Sequence, residues 1–182
     1  MNIWHDINPK EITPEAFSAV IEISKGSKMK YELDKPTGLL KLDRILYTST
    51  HYPANYGFIP LTYADDDDPL DVLVICSEEI VPLTLVKCYP IGVIKMIDSG
   101  RLDEKIIAIP FSDPYYNVYN SIYELPRHVF DEMCHFFTVY KQLENKDTAV
   151  DNLGDREEAM EIIRSTLNRY QKNRELLMAK NS

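Results

Sequence analysis

Cysteine is scarce. Cys76, Cys88 and Cys134 are three in number and far apart, so no disulfide framework is expected; they read as small packed residues of a protein kept in a reducing, cytoplasmic compartment. Glycine is equally sparse. The six glycines form neither G-x-G-x-x-G nor G-x-x-x-x-G-K-[ST], which excludes a dinucleotide fingerprint and a nucleotide P-loop. The four histidines (His5, His51, His128, His135) stand at no ligand spacing and no C-x-x-C occurs, which disfavours zinc. No apolar run approaches the ~20 residues of a membrane-spanning helix. Residues 1–6 lack the basic start and apolar stretch of a secretory leader. Positive charge is also in deficit, with 20 Lys+Arg against 29 Asp+Glu and a net charge of −9. A nucleic-acid footprint is therefore missing, and a polyanion would be repelled unless cations came with it.

What is present is an ordinary folding composition: 182 residues, 45% of them hydrophobic, with no linker, repeat or low-complexity stretch, so a single domain over 1–182 is expected. Short β-favouring segments occur at 18–23, 29–33, 39–47, 72–76, 83–88, 91–97 and 105–109, separated by turn signals such as Lys25-Gly26-Ser27 and Pro36-Thr37-Gly38. They predict a small barrel or sandwich. Two helical patterns follow. The first starts at Pro126 and carries Val129, Phe130, Met133, Phe136, Phe137 and Tyr140 on one face. The second opens with Asp155 and Glu158 as a capping pair and continues through Ala159, Ile162, Ile163, Thr166, Leu167 and Tyr170. Both stripes read as core. Residues 48–69 show no periodicity, yet Tyr52, Tyr56 and Phe58 make them too aromatic for disorder, so this stretch is expected to be a packed loop that carries chemistry.

That stretch ends in Asp65-Asp66-Asp67-Asp68-Pro69-Leu70-Asp71, directly before an apolar strand. So many carboxylates repel one another unless they splay into solvent or hard cations hold them together. An EF-hand is excluded: counting from Asp66, the sixth and twelfth places hold Asp71 and Ser77 instead of Gly and Glu. Oxygen ligands with open positions favour Mg²⁺ or Mn²⁺ working on a phosphate compound. A second acidic group, Asp98 and Asp103 with Glu104, follows the 91–97 strand and matters only if it converges on the first. Phosphate recognition would then fall to cations and phenols. Lys30 and Glu32 lie two apart on one strand face, Arg44, Lys105 and Lys141 lie in or beside regular elements, and Tyr52, Tyr56 and Tyr140 are near.

In this order the residues resemble the soluble (family I) inorganic pyrophosphatases of the short bacterial type. The signature Asp-x-Asp-Pro-x-Asp appears as Asp66-Asp67-Asp68-Pro69-Leu70-Asp71, with Lys30-Tyr31-Glu32, Asp43-Arg44, Tyr52-Pro53-Ala54-Asn55-Tyr56-Gly57, Asp98, Asp103, Lys105 and Tyr140-Lys141 in sequence around it. The resemblance spans residues 14–172 and implies a mainly β, α+β fold: a small five-stranded OB-like barrel flanked by two C-terminal helices. It implies Mg²⁺-dependent hydrolysis of pyrophosphate to two orthophosphates by direct attack of a metal-bridging water, with no phosphoenzyme. Asp66, Asp71, Asp98 and Asp103 would be metal ligands and Asp68 the general base. Lys30, Arg44, Tyr56, Lys105, Tyr140 and Lys141 would bind phosphate, and Glu22, Glu32 and Tyr52 would act behind them or through water. Several Mg²⁺ ions per site, substitution by Mn²⁺, inhibition by Ca²⁺ and a homohexamer are also implied. The pattern departs from the family at Ser99, where many members carry Glu, at His51, and in residues 145–154, which lack the usual tryptophans. Two other readings compete. A nucleotide pyrophosphohydrolase would need a base pocket, and a non-catalytic cation-binding module would not need the lysines, arginine and tyrosines.

Overall fold

The computed structural model describes residues 2–180. Strand β1 (Phe17–Ile23) is followed by a hairpin, β2 (Met29–Asp34) and β3 (Leu39–Ile45), that forms a two-stranded sheet of its own. Then come β4 (Asn55–Phe58), β5 (Asp71–Val74), the long β6 (Leu85–Asp98) and β7 (Arg101–Pro110). Helix α1 (Arg127–Val139), strand β8 (Thr148–Gly154) and helix α2 (Arg156–Lys180) complete the chain.

The main sheet runs β1-β4-β5-β7-β6, and β6 returns to pair with β1, so five strands close into a ring. Closure leaves none of the five as a free edge, and β8 adds a flap along the outer half of β6. The five-stranded expectation is met. The β5–β7 pairing is parallel because β6 returns the chain between them, and it sets Asp71 beside Lys105. β6 can pair with β7, β1 and β8 because it bends at a register shift between Pro90 and Gly92, where proline supplies no N–H to the ladder. The two separate strands expected at 83–88 and 91–97 are therefore one.

Two apolar clusters flank the sheet. On β5 and β7, Val72, Val74, Ile106 and Ala108 join the cluster that holds Ala159, Ile163 and Tyr170 of α2. Their alternates Leu73, Ile107 and Ile109 join Phe130, Met133, Phe136 and Phe137 of α1. Each strand is buried on both faces, which is why these segments read as continuous apolar runs. The helical stripes are core, as expected. Asp155 Oδ1 accepts the Glu158 amide at 2.9 Å, so the cap at α2 is real. Pro126 precedes the first helical residue instead of occupying it, and His135 lies on the exposed face of α1.

The stretch 48–69 is not a structureless loop. It contains β4, whose four residues are all buried. At Gly57 a Cβ would lie 1.8 Å from the Val20 carbonyl oxygen, so only glycine lets β1 and β4 approach this closely. Asn55 is fully buried but satisfied: its Oδ1 accepts the amides of Lys25 and Ile80 at 3.0 and 2.9 Å, and its Nδ2 donates to Glu78 O at 3.1 Å.

Candidate active site

The four consecutive aspartates separate by parity. Asp65 pairs with Arg169 of α2, and Asp67 accepts from the Tyr63 hydroxyl at 2.6 Å and lies 3.4 Å from Arg101. Asp66 and Asp68 turn the other way, into a cleft of about 210 Å³. A hydrogen bond from Asp68 N to Asp66 Oδ1 at 3.2 Å and a backbone bond from Ala64 N to Asp68 O at 2.8 Å hold the turn.

Asp71, the first residue of β5, enters the same cleft. Its Oδ2 accepts from Tyr56 OH at 2.5 Å and from Lys105 Nζ at 2.7 Å. Lys105 also donates to Asp103 Oδ1 at 3.0 Å and to Tyr56 OH at 3.2 Å. Its ammonium lies 5.1 Å from the Phe137 ring centroid, a cation–π contact at the floor of the cleft. Asp98, at the end of β6, pairs with Lys141 just beyond α1. The two acidic groups of the sequence therefore converge. Ser99 and Gly100, with φ of 52° and 79°, form the tight turn that returns Asp103 along β7, and the Ser99 hydroxyl donates to Asp98 Oδ1 at 3.0 Å.

From the opposite bank come Glu22 of β1 and Lys30 and Glu32 of β2, the last two paired with each other. Tyr140 closes one end. Twelve of the fourteen residues singled out in the sequence line this cleft: Glu22, Lys30, Glu32, Tyr56, Asp66, Asp68, Asp71, Asp98, Asp103, Lys105, Tyr140 and Lys141. Two do not. Tyr52 is buried behind the wall, its ring 5.3 Å from Tyr56 and 4.8 Å from Phe136. Arg44 stands beside the cleft, with Nε 2.7 Å from Glu144 Oε1.

The cleft has seven acids against four lysines: Glu22, Glu32, Asp66, Asp68, Asp71, Asp98 and Asp103 against Lys30, Lys35, Lys105 and Lys141. The excess distorts the titrations. Burial, then the Asp71 charge, pushes the Asp66 carboxyl up to about 6. Burial pushes Glu22 up to about 8, against the hydrogen bond that its Oε1 accepts from Leu33 N at 2.7 Å. Asp103 is raised by burial, with Lys105 opposing. Burial would also raise Asp98, but the Lys141 ammonium outweighs it and holds that carboxyl low. Lys105 is fully buried, and burial alone would strip its proton; Asp103 and Asp71 hold it charged. All-oxygen donors crowded until some resist ionisation fit Mg²⁺, which would relieve their repulsion. As they stand, no three His, Cys, Asp or Glu groups among the described residues are close enough to surround one ion.

Sequence reasoning missed Lys35 and Trp4. Lys35 pairs with Asp68, and its ammonium lies 5.1 Å from the ring centroid of Trp4, which also lines the cleft. Trp4 is fixed by an Nε1 hydrogen bond to Thr62 O at 2.9 Å. Lys35 sits in the turn after β2 and no motif marks it. A second hollow of about 350 Å³ adjoins the cleft behind Asp66, Asp71 and Asp103, walled on its far side by Glu161, Ser165 and Arg169 of α2.

A sequence model of the inorganic pyrophosphatase family matches residues 19–171. The chain belongs to that family. Its curated relatives are soluble members. It is 48% identical over 170 residues to soluble inorganic pyrophosphatase 2 of Chlamydomonas reinhardtii, covering 93% of this chain and 88% of that one. It is also 48% identical over 167 residues to soluble inorganic pyrophosphatase 1 of Arabidopsis thaliana, covering 92% and 79%. Among solved structures, the inorganic pyrophosphatase of Thermus thermophilus superposes with a TM-score of 0.89 at 36% identity, covering 94% of this chain and 99% of that one. The Helicobacter pylori enzyme gives 0.84 at 41%, covering 87% and 95%. The bacterial fold resemblance read from the sequence is thereby matched, and the chain is an enzyme of the inorganic diphosphatase class.

Proposed function

We propose that the protein hydrolyses inorganic pyrophosphate to two orthophosphates, with Mg²⁺ as the working cation and water as the direct nucleophile. The observation that carries this reading is the meeting, in one cleft, of Lys30, Tyr56, Lys105, Tyr140 and Lys141 with Asp66, Asp68, Asp71, Asp98 and Asp103. A cation-binding module would have no use for the first set, and no base-binding pocket is needed to account for these residues.

Asp66, Asp71, Asp98 and Asp103 would hold Mg²⁺, which when bound supplies positive charge for the phosphates and acidifies coordinated water. Of the two turn acids that face the cleft, Asp68 is the more open to solvent, and it is assigned as the base that takes the proton of the attacking water. Lys30, Lys105 and Lys141 meet the charge that builds on the leaving phosphate, and Tyr56 and Tyr140 donate hydrogen bonds to its oxygens. Arg44 joins them from the edge. Glu22 and Glu32 act through water, and Tyr52 stiffens the wall behind Tyr56. No serine, cysteine or histidine lines the cleft, so direct attack fits better than a covalent intermediate.

Mn²⁺ should substitute for Mg²⁺ in part. Ca²⁺, whose oxygen ligands lie at ~2.3–2.6 Å against ~2.0–2.1 Å for Mg²⁺, should bind and inhibit. We also assign the chain as a single domain and a homohexamer in the cytoplasm. Unpaired Cys76, Cys88 and Cys134 support a reducing compartment, and no helix among the described residues is long and apolar enough to cross a membrane. Sedimentation at micromolar concentration tests the hexamer, and a monomer would refute it. Phosphate release from pyrophosphate, with ATP as comparison, in Mg²⁺ and after EDTA tests the activity. Release from ATP alone, or release unaffected by EDTA, would overturn it.

A further inference from the structure

The β2–β3 hairpin carries Lys30, Glu32 and Arg44 to the cleft, yet it lies outside the closed ring and meets it chiefly through β1. Something else must fix the Arg44 end. Arg44 sits opposite Lys30 in the hairpin register. Its Nη1 faces Asp43 at 2.5 Å, and its Nε faces Glu144 at 2.7 Å. Glu144 lies a hundred residues further along the chain, on the short 3₁₀ turn Gln142–Glu144 that directly follows Tyr140 and Lys141. Its side chain is only 7% exposed, and its Oε2 has no hydrogen-bond partner among the described residues. The Nε and Nη2 of Arg44 are likewise buried without a hydrogen-bond partner, so the Nε–Glu144 contact is an ion pair outside hydrogen-bond geometry.

From this we infer that Glu144 is a positioning residue: its charge, on the Nε side, holds the Arg44 guanidinium beside Lys30 at the edge of the cleft and leaves Nη2 without a protein partner. A guanidinium offers five N–H donors in a fixed fork, so fixing Nε and Nη1 fixes where Nη2 points. The same ion pair ties the hairpin to the segment that carries Tyr140 and Lys141, so it sets the spacing of the two banks. A pair this buried contributes little net stability compared with an apolar contact, which fits a geometric role better than a stabilising one. This inference rests on the assignment of Arg44 as a phosphate contact.

The test is a kinetic double-mutant cycle in saturating Mg²⁺. Arg44→Ala should raise KM for pyrophosphate about tenfold or more, the weight of one charge-assisted contact. Glu144→Gln, which keeps the shape, should raise KM about fivefold to tenfold and change kcat less than about threefold. In the Arg44→Ala background Glu144→Gln should add nothing, and added guanidinium ion should lower KM of Arg44→Ala only while the Glu144 carboxylate is present. A general loss of folded protein would lower apparent kcat and leave KM unchanged. Additive effects, or a KM unchanged or lowered by Glu144→Gln while Arg44→Ala still raises it, would overturn the role of Glu144 alone. If Arg44→Ala leaves KM unchanged, the Arg44 assignment fails and this inference fails with it.

Discussion

Asp71 and Lys105 are register partners in the one parallel pairing among the described strands, and Lys105 Nζ lies 2.7 Å from Asp71 Oδ2. The backbone ladder thus delivers a buried ammonium to a carboxylate that would otherwise face Asp103 and Asp66 unrelieved. Lys105→Met should leave two partly buried carboxylates uncompensated and destabilise the metal-free protein by about 3 kcal/mol. Excess Mg²⁺ should return part of that loss, since it supplies the missing charge. Urea unfolding with and without Mg²⁺ measures both, and equal losses in the two conditions would argue against metal among these acids.

Asp68 and Asp71 should separate chemistry from metal binding. Asp68→Asn should lower kcat by ~10²–10⁴ while leaving Mg²⁺ affinity near wild type. Asp71→Ala should weaken Mg²⁺ binding itself, read by calorimetry. Unchanged turnover of Asp68→Asn at saturating Mg²⁺ would remove it as the base.

Glu22 gives the metal-free protein a pH dependence. Its folded pKa of about 8 stands above the 4.5 of an unperturbed glutamate, so between those values the folded state holds a proton that the unfolded state has lost. Stability from this group is present below pH 4.5 and is lost as pH rises toward 8. In EDTA, wild type should therefore weaken across that window, while Glu22→Gln, which mimics the protonated form, should be flatter. Chemical denaturation at pH 5 to 8 measures the difference, and parallel profiles would refute it.

Lys35 is the cation that the sequence did not reveal. Lys35→Met should raise KM for pyrophosphate about tenfold if the ammonium turns from Asp68 to the substrate when pyrophosphate binds. Trp4→Phe, which keeps a ring but loses the indole N–H bond to Thr62, should produce a smaller change in the same direction. Steady-state kinetics on the two variants decides it.

The legible parts of this site were those written in adjacent residues. Asp66 to Asp71 form one turn, and Lys30 with Glu32, or Asp103 with Lys105, follow from strand alternation. β4 was invisible because all four of its residues are buried, which erases the alternation that marks a half-exposed strand. β8 was missed for the opposite reason. Only Gly154 of it is buried, and its pairing with β6 creates no apolar pattern. The break expected near Pro90 is a bend within one strand, since a bulge tolerates the missing N–H. Lys35, Trp4 and Glu144 owe their places to contacts with residues 33, 58 and 100 positions away, and no local spacing encodes those.

Ring closure also orders events in time during synthesis. β1 pairs with β4 but must wait for residues 85–88 to gain its second neighbour. The Asp66–Asp71 turn leaves the ribosome long before Lys105 and Lys141 can neutralise it. A nascent chain therefore carries an acidic stretch offset only by Lys35, which disfavours early compaction around the site and keeps that region hydrated. Lys141 meets Asp98 only after α1 has been made, and Arg169 reaches Asp65 only once α2 is under way. Commitment to the native state is thus deferred until α2 has been made, and chains that stop before it should remain soluble and open instead of collapsing into a half-built catalyst.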